Sequence, residues 1–232
     1  MRPDKRYNGN GRFLIFGHRG SPKRFPENTM ASFDEALRSG ADGFETDLRL
    51  LFDRTAILFH DDEIDETEIE TLTYTQCAER GAMVERLGDL ARYAGRAKMI
   101  LEVKRARWEE TLIQHVSGWP DAVIASFDHS LIASLRSRGA TFPLGITFHG
   151  YLVDVAEYAE KVGATWCFPN VQFVDETMVS SLHERDITVV PWTANRRHEW
   201  DRLHALGCDG IITDLPGEAV QWRTERGLDV AR

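Results

Sequence analysis

Eight short runs of β-forming residues alternate with helical patterns along most of the chain, and this alternation narrows the fold more than any other feature. The runs cover 13–18, 43–48, 99–104, 122–127, 144–148, 165–168, 188–193 and 210–213. Between them, apolar residues recur three and four apart, as in Met30, Phe33 and Leu37 or Val153, Ala156, Tyr158 and Val162, the spacing of one helix face. Several of these segments end in glycine just before the next strand, in "LRSGADGF", "AEKVGATW" and "LHALGCDG", where a left-handed residue closes a helix. Strands joined through helices run parallel in one sheet. Eight such units predict an α/β fold, a (β/α)8 TIM barrel formed as one domain over residues 1–232. A doubly wound open sheet is the alternative, but the phosphate fingerprint G-x-G-x-x-G is missing after the first run.

One segment breaks the rhythm. From "TAILFHDD" to "MVERLGDLARYAG" the second unit is long, carries an extra strand-like run ending at His60, and contains the acidic stretch "DDEIDETEIET". This predicts a short insertion after strand 2, at about 61–86, with the second barrel helix resuming near Leu87 and the acidic stretch forming a solvated face. Loops at this end of a barrel carry function.

A length of 232 residues suits one barrel. With 42% hydrophobic and 28% charged residues, neither a disordered chain nor a membrane span is indicated. The net charge of −9 argues against a nucleic-acid partner, so an anionic ligand requires local positive charge. Cys77, Cys167 and Cys208 lie far apart with no C-x-x-C pair, which suggests neither a disulfide framework nor a thiolate zinc site and fits a reducing compartment. The start "MRPDKRYNGNGR" reads as a loose polar leader, and "FLIF" is too short for a signal-peptide core. The expectation is a cytoplasmic protein with no stable membrane insertion; whether it forms a homo-oligomer is left open.

Period-two alternation identifies side chains that share a strand face. Glu45 and Asp47 share one in "GFETDLRL", as do Glu102 and Lys104 in "ILEVK", while His18 and Arg19 end the first run. All fall at C-terminal strand ends, so neighbouring strands direct them into one mouth. Gly20 then lets the backbone turn close beside a bound group. Three carboxylates there repel one another and lose hydration, and a hard divalent cation, Mg²⁺ or Ca²⁺, relieves both. A cation with Arg19 and Lys104 makes a compact positive site suited to a phosphate ester. His18 and His60 can supply the base and acid that phosphodiester cleavage needs. Asn195 is expected to cap the helix starting near Arg196, and Asp214 to lead a proline-initiated turn. His149, ending strand 5, is a further candidate for the mouth.

These motifs resemble the glycerophosphodiester phosphodiesterases. The resemblance rests on "HRG" at 18–20, "PENT" at 26–29, "SFDEALRSGADGFETDL" at 32–48, "HDD" at 60–62, "LEVK" at 101–104, "PWTAN" at 191–195 and "GCDGIITDLP" at 207–216. It implies a barrel in which His18 and His60 are the catalytic acid/base pair. It also implies that Glu45, Asp47 and Glu102 hold one divalent metal ion, Arg19 and Lys104 contact the substrate phosphate, and Trp192 lines the substrate pocket near the alcohol. The implied substrate is a small-molecule phosphodiester, cleaved to glycerol 3-phosphate and an alcohol. Two departures stand out. Most members read approximately "HD-x-x-L-x-R-T-T" after the histidine, where this chain has "HDDEIDETEIET", and its insertion is shorter than usual.

Other barrel chemistries fit less well. An amidohydrolase calls for H-x-H on strand 1, and an enolase-type site for carboxylates on strands 3 to 5. The alternatives kept are phospholipase D-like cleavage of lysophospholipid or sphingomyelin, and a non-catalytic phosphate-ester binder. The first is disfavoured because the sequence offers no evident basic amphipathic patch or exposed aromatic cluster.

Overall fold

The computed structural model describes residues 12–82 and 84–229; apart from Arg12, the expected polar leader lies outside them. Eight parallel strands carry the architecture: β1 Leu14–Gly17, β2 Gly43–Leu50, β3 Lys98–Val103, β4 Ala122–Ser126, β5 Leu144–Phe148, β6 Trp166–Pro169, β7 Thr188–Val189 and β8 Gly210–Thr213. The helices are α1 Met30–Arg38, α2 Tyr74–Glu79, α3 Glu109–Val116, α4 His129–Ser137, α5 Val155–Val162, α6 Glu176–His183, α7 Arg197–Ala205 and α8 Pro216–Glu225.

The ladder runs β7-β6-β5-β4-β3-β2-β1-β8. It does not itself join β7 to β8. Asp209 N–H donates to Val189 O, Ile212 N–H to Pro191 O and Ala194 N–H to Ile212 O, each at 2.9 Å, and these bonds link the two ends. The expected strand at 188–193 is regular for only two residues because Pro191 has no N–H to continue the ladder.

Alternation along the strands separates two cores. Phe16, Ile100, Ala125, Trp166, Phe168 and Ile212 belong to an inner core, while their neighbours Ile15, Leu101, Ile124, Cys167 and Ile211 belong to a larger outer one with helix residues. Gly145 on β5 is bare for a reason: a Cβ there would sit 2.4 Å from the Phe168 ring. Helix α1 begins where Thr29 Oγ1 accepts from Ser32 N–H. In α5 the buried residues are Val155, Ala156 and Ala159, and Val162 packs partly buried against the outer core; of the expected face Ala156 and Val162 hold, whereas Val153 and Tyr158 are exposed. Helix α5 starts only after Asp154, so Val153 lies outside it and is 78% exposed.

The segment after β2 folds as an appendage on the sheet. Ala56–Leu58 pairs antiparallel with β2, Glu85–Arg86 pairs with Ala56–Leu58, and Glu63–Ile64 and Thr67–Glu68 form a small hairpin. Leu51, Ile57, Ile64, Ile69, Leu72 and Val84 belong to its own core. Where a second barrel helix was expected near Leu87, a 3-10 helix spans Leu87–Tyr93, and α2 lies within the appendage. The acidic stretch is not merely a solvated face. Arg49, 3% exposed in its side chain, donates to His60 O at 2.8 Å and pairs with Asp62 at 2.6 Å and Glu70 at 3.3 Å. Arg105 pairs with Glu68 at 3.0 Å. No helix among the described residues is long and apolar enough to cross a membrane.

Because a buried guanidinium ties the hairpin to β2, Arg49→Met is expected to cost about 1–3 kcal/mol and to raise amide exchange over 61–70 selectively. Unchanged protection there, by hydrogen-exchange mass spectrometry, would show that Arg49 does not anchor the hairpin.

Candidate active site

The C-terminal ends of β1, β2 and β3 gather the charged side chains named above. Register fixes the arrangement: Asp47 on β2 is level with Glu102 on β3, and Gly17 on β1 is level with Phe44 on β2, so His18 leaves β1 next to Glu45. Carboxylate oxygens of Glu45, Asp47 and Glu102 lie within 4.8 Å of one another, and all three residues are buried. His18, Glu45, Glu102, Thr147, Phe168 and Trp192 are among the residues around a cavity with about 280 Å³ of empty space, its open mouth included.

Each carboxylate has a different environment. Asp47 accepts from Asn28 Nδ2 at 2.9 Å and pairs with Lys104 Nζ at 2.6 Å and Arg19 Nε at 3.2 Å. Burial alone would raise its pKa, but the charges of Lys104 and Arg19 and the Asn28 hydrogen bond hold it below the usual range. Glu102 pairs with Lys104, yet desolvation leaves its pKa raised. Glu45 receives one backbone hydrogen bond, from Arg19 N–H at 3.0 Å, and its Oε1 is buried without a partner. Desolvation first, then repulsion from Asp47, pushes Glu45 up to about 8.

An orphaned oxygen in a cluster of three buried carboxylates, all hard oxygen donors, is a fit for a divalent cation. The buried triad could hold a metal ion. Arg19 and Lys104 are engaged with the same carboxylates, and Arg19 also grips Glu27 through both of its oxygens, at 2.9 and 3.0 Å.

His18 Nδ1 is 2.7 Å from Asp214 Oδ1, and its Nε2 lies 4.0 Å from Glu45 Oε2. Burial lowers its pKa, but the hydrogen bond to Asp214 and the charge of Glu45 outweigh that and raise it. His60 is separate: its side chain is 37% exposed, with Nδ1 2.8 Å from Asp61, and it does not line the cavity. Trp192 does line it, with Nε1 donating to Phe168 O at 2.8 Å and its ring edge-on to Phe127. His149 does not line the cavity; its ring meets Phe173 edge-on and lies tilted against Trp192.

Two expectations need correction. Asn195 does not cap α7; Glu199 accepts from the N–H groups of Asn195 and Arg196 there. Asn195 instead donates through Nδ2 to Asp214 at 2.7 Å and accepts Asp214 N–H at 2.8 Å. Asp214 is thereby fixed as the carboxylate that orients His18, a role the turn-based reading missed although Ile212 and Asp214 share a strand face. Gly20, at φ +90°, faces α1: a Cβ would meet Ser32 Oγ at 2.4 Å, so its freedom serves helix packing. Asn28, inside "PENT", was also missed. It takes a left-handed φ of 57° and accepts from Thr46 Oγ1 while donating to Asp47.

The raised Glu45 pKa has a defined sign. The folded state holds a proton that the unfolded chain releases, so this contribution is favourable at low pH and is lost between 4.5 and about 8 as pH rises. The metal-free protein should therefore lose stability over that range, and Glu45→Gln should flatten the loss by on the order of a few kcal/mol. Thermal midpoints in chelator across the range test this; an unchanged slope in Glu45→Gln would contradict it.

A sequence profile of the glycerophosphoryl diester phosphodiesterase family matches residues 18–110 and 81–218. The glycerophosphodiester phosphodiesterase of Bacillus altitudinis is 28% identical over 240 residues, covering 91% of this chain and 98% of that protein. Among solved structures, the glycerophosphodiester phosphodiesterase of Thermotoga maritima superposes with a TM-score of 0.81 at 22% identity, covering 91% of this chain and 98% of that one. An Oleispira antarctica phosphodiesterase in complex with the product sn-glycerol-3-phosphate gives 0.80 at 21% identity, covering 92% and 97%. The chain belongs to the glycerophosphoryl diester phosphodiesterase family.

Proposed function

We propose that this chain hydrolyses glycerophosphodiesters to glycerol 3-phosphate and an alcohol, with His18 and His60 as the acid/base pair. The observation that carries this reading is the orphaned Glu45 oxygen within a buried carboxylate triad that shares its cavity with an Asp-oriented histidine. The relatives named for this activity, and the Oleispira antarctica neighbour with its bound product, support it.

Glu45, Asp47 and Glu102 would hold one divalent ion, Mg²⁺ or Ca²⁺, which when bound supplies positive charge against the phosphoryl oxygens. Arg19 and Lys104 add fixed charge for the phosphate, the pairing that suits an anionic substrate in a protein of net charge −9. Asp214 holds the Nδ1 proton of His18, leaving Nε2 on the cavity side for proton transfer; His60, outside the cavity lining, has its own carboxylate partner at Nδ1, Asp61. One imidazole takes the proton of the attacking hydroxyl or water, and the other returns one to the departing alkoxide. Asp214 is a positioning residue.

A second reading, cleavage of lysophospholipids or sphingomyelin, draws on one observation that corrects the sequence analysis. Phe25, Phe52, Phe127, Tyr151 and Val153 are exposed, and all lie on segments following strand C-termini, the face that carries the site.

Release of glycerol 3-phosphate from glycerophosphocholine, measured with Mg²⁺, with Ca²⁺ and with chelator, tests the proposal. Metal-dependent release is expected, lost in His18→Ala. Asp214→Asn should lower kcat by roughly 10²-fold or more with a shifted pH profile. A folded sample inactive with both metals, or a fully active His18→Ala, would overturn the assignment, and activity on lysophospholipid alone would favour the second reading.

A further inference from the structure

The cavity at the strand ends is chemically divided. Its charged groups come from β1, β2 and β3, and its opposite wall comes from β4 to β8, where Ala125, Phe168, Trp192 and Ile212 are apolar. Within that wall stands one hydroxyl side chain, Thr147 on β5, four strands along the ladder from β1, whose end carries His18.

Thr147 is 3% exposed, and its Oγ1 is buried without a hydrogen-bond partner. Its carbonyl is used, accepting from His129 Nε2 at 2.9 Å, so the unmet group is the hydroxyl alone. Alternation explains its direction. Leu144, Ile146 and Phe148 belong to the outer core, so Gly145 and Thr147 face inward. Phe168, level with Thr147 on β6, lies over the bare Gly145 and floors the cavity. Trp192 cannot answer the hydroxyl, because its only donor is spent on Phe168 O. A buried hydroxyl left unpaired is costly, and a site that retains one rejects ligands lacking the matching group.

We propose that Thr147 Oγ1 hydrogen-bonds a hydroxyl of the glycerol moiety and so makes the site selective for polyol phosphodiesters. This rests on the functional reading above. A phosphate held beside Arg19, Lys104 and the triad leaves its carbon chain to cross toward β5, β6 and β7. There the C–H surfaces of glycerol meet Phe168 and Trp192, and one hydroxyl reaches Thr147.

The test compares kcat/KM of the metal-loaded protein for glycerophosphocholine and its two deoxy analogues, 3-hydroxypropyl and 2-hydroxypropyl phosphocholine. The protein as it stands should disfavour one analogue by roughly tenfold or more. Thr147→Val, which keeps the shape, should erase that preference without lowering the thermal midpoint, and Thr147→Ser should retain it. Equal rates on all three substrates in the unsubstituted protein, or an undiminished preference in Thr147→Val, would overturn the proposal. So would a drop in thermal midpoint in Thr147→Val with the preference intact, since the hydroxyl would then serve the fold. Failure to cleave any of the three would instead remove the functional reading, and the proposal with it.

Discussion

Mutual repulsion among three buried carboxylates is the constraint on which this site turns. Glu45, Asp47 and Glu102 approach within 4.8 Å in a place where water cannot screen them, and the chain meets that cost in three ways. Asp47 is neutralised by Lys104 and Arg19 and fixed by Asn28; Glu102 shares Lys104; Glu45 is left with a raised pKa and a bare oxygen. Such an arrangement does not stabilise the fold by itself. It persists because ladder register on β2 and β3 sets the backbone beneath it, and the inner and outer cores hold those strands.

The same scaffold divides the mouth into two halves. Charged and titratable groups come from the ends of β1 to β3 and from the residue after β8, while the wall from β4 to β7 is apolar apart from Thr147. The appendage after β2 carries His60 and is held to the barrel through Arg49, a residue whose charge is spent on His60 O, Asp62 and Glu70. An ester that is anionic at one end and a polyol at the other matches this division.

Most of the barrel could be read in the sequence, because period-two strands and glycine-terminated helices are local signals. The triad was legible for the same reason: Glu45 and Asp47 are two residues apart on one strand face, and Glu102 ends the next barrel strand. Contacts that join distant segments were not legible. Asp214 reaches His18 only because β8 lies beside β1, and Asn195 reaches Asp214 from the segment after β7. Arg49 reads as an ordinary charged residue on β2 until the hairpin folds over it. The buried face of α5 was misread because Val153 and Tyr158 fit a helical spacing whose starting residue lies outside the helix. Thr147 was passed over because a threonine in a strand ordinarily needs no explanation; its unmet hydroxyl is a property of the assembled cavity.

The central claim is that the triad is a cation site whose ionisation is completed by the ion. Calorimetric titration of the metal-free protein with Mg²⁺ and with Ca²⁺ near neutral pH, in buffers of different ionisation enthalpy, counts the protons displaced. With Glu45 pushed up to about 8, saturable binding of one ion with release of about one proton is predicted. No saturable binding of either ion, or binding that displaces no proton, would contradict the account.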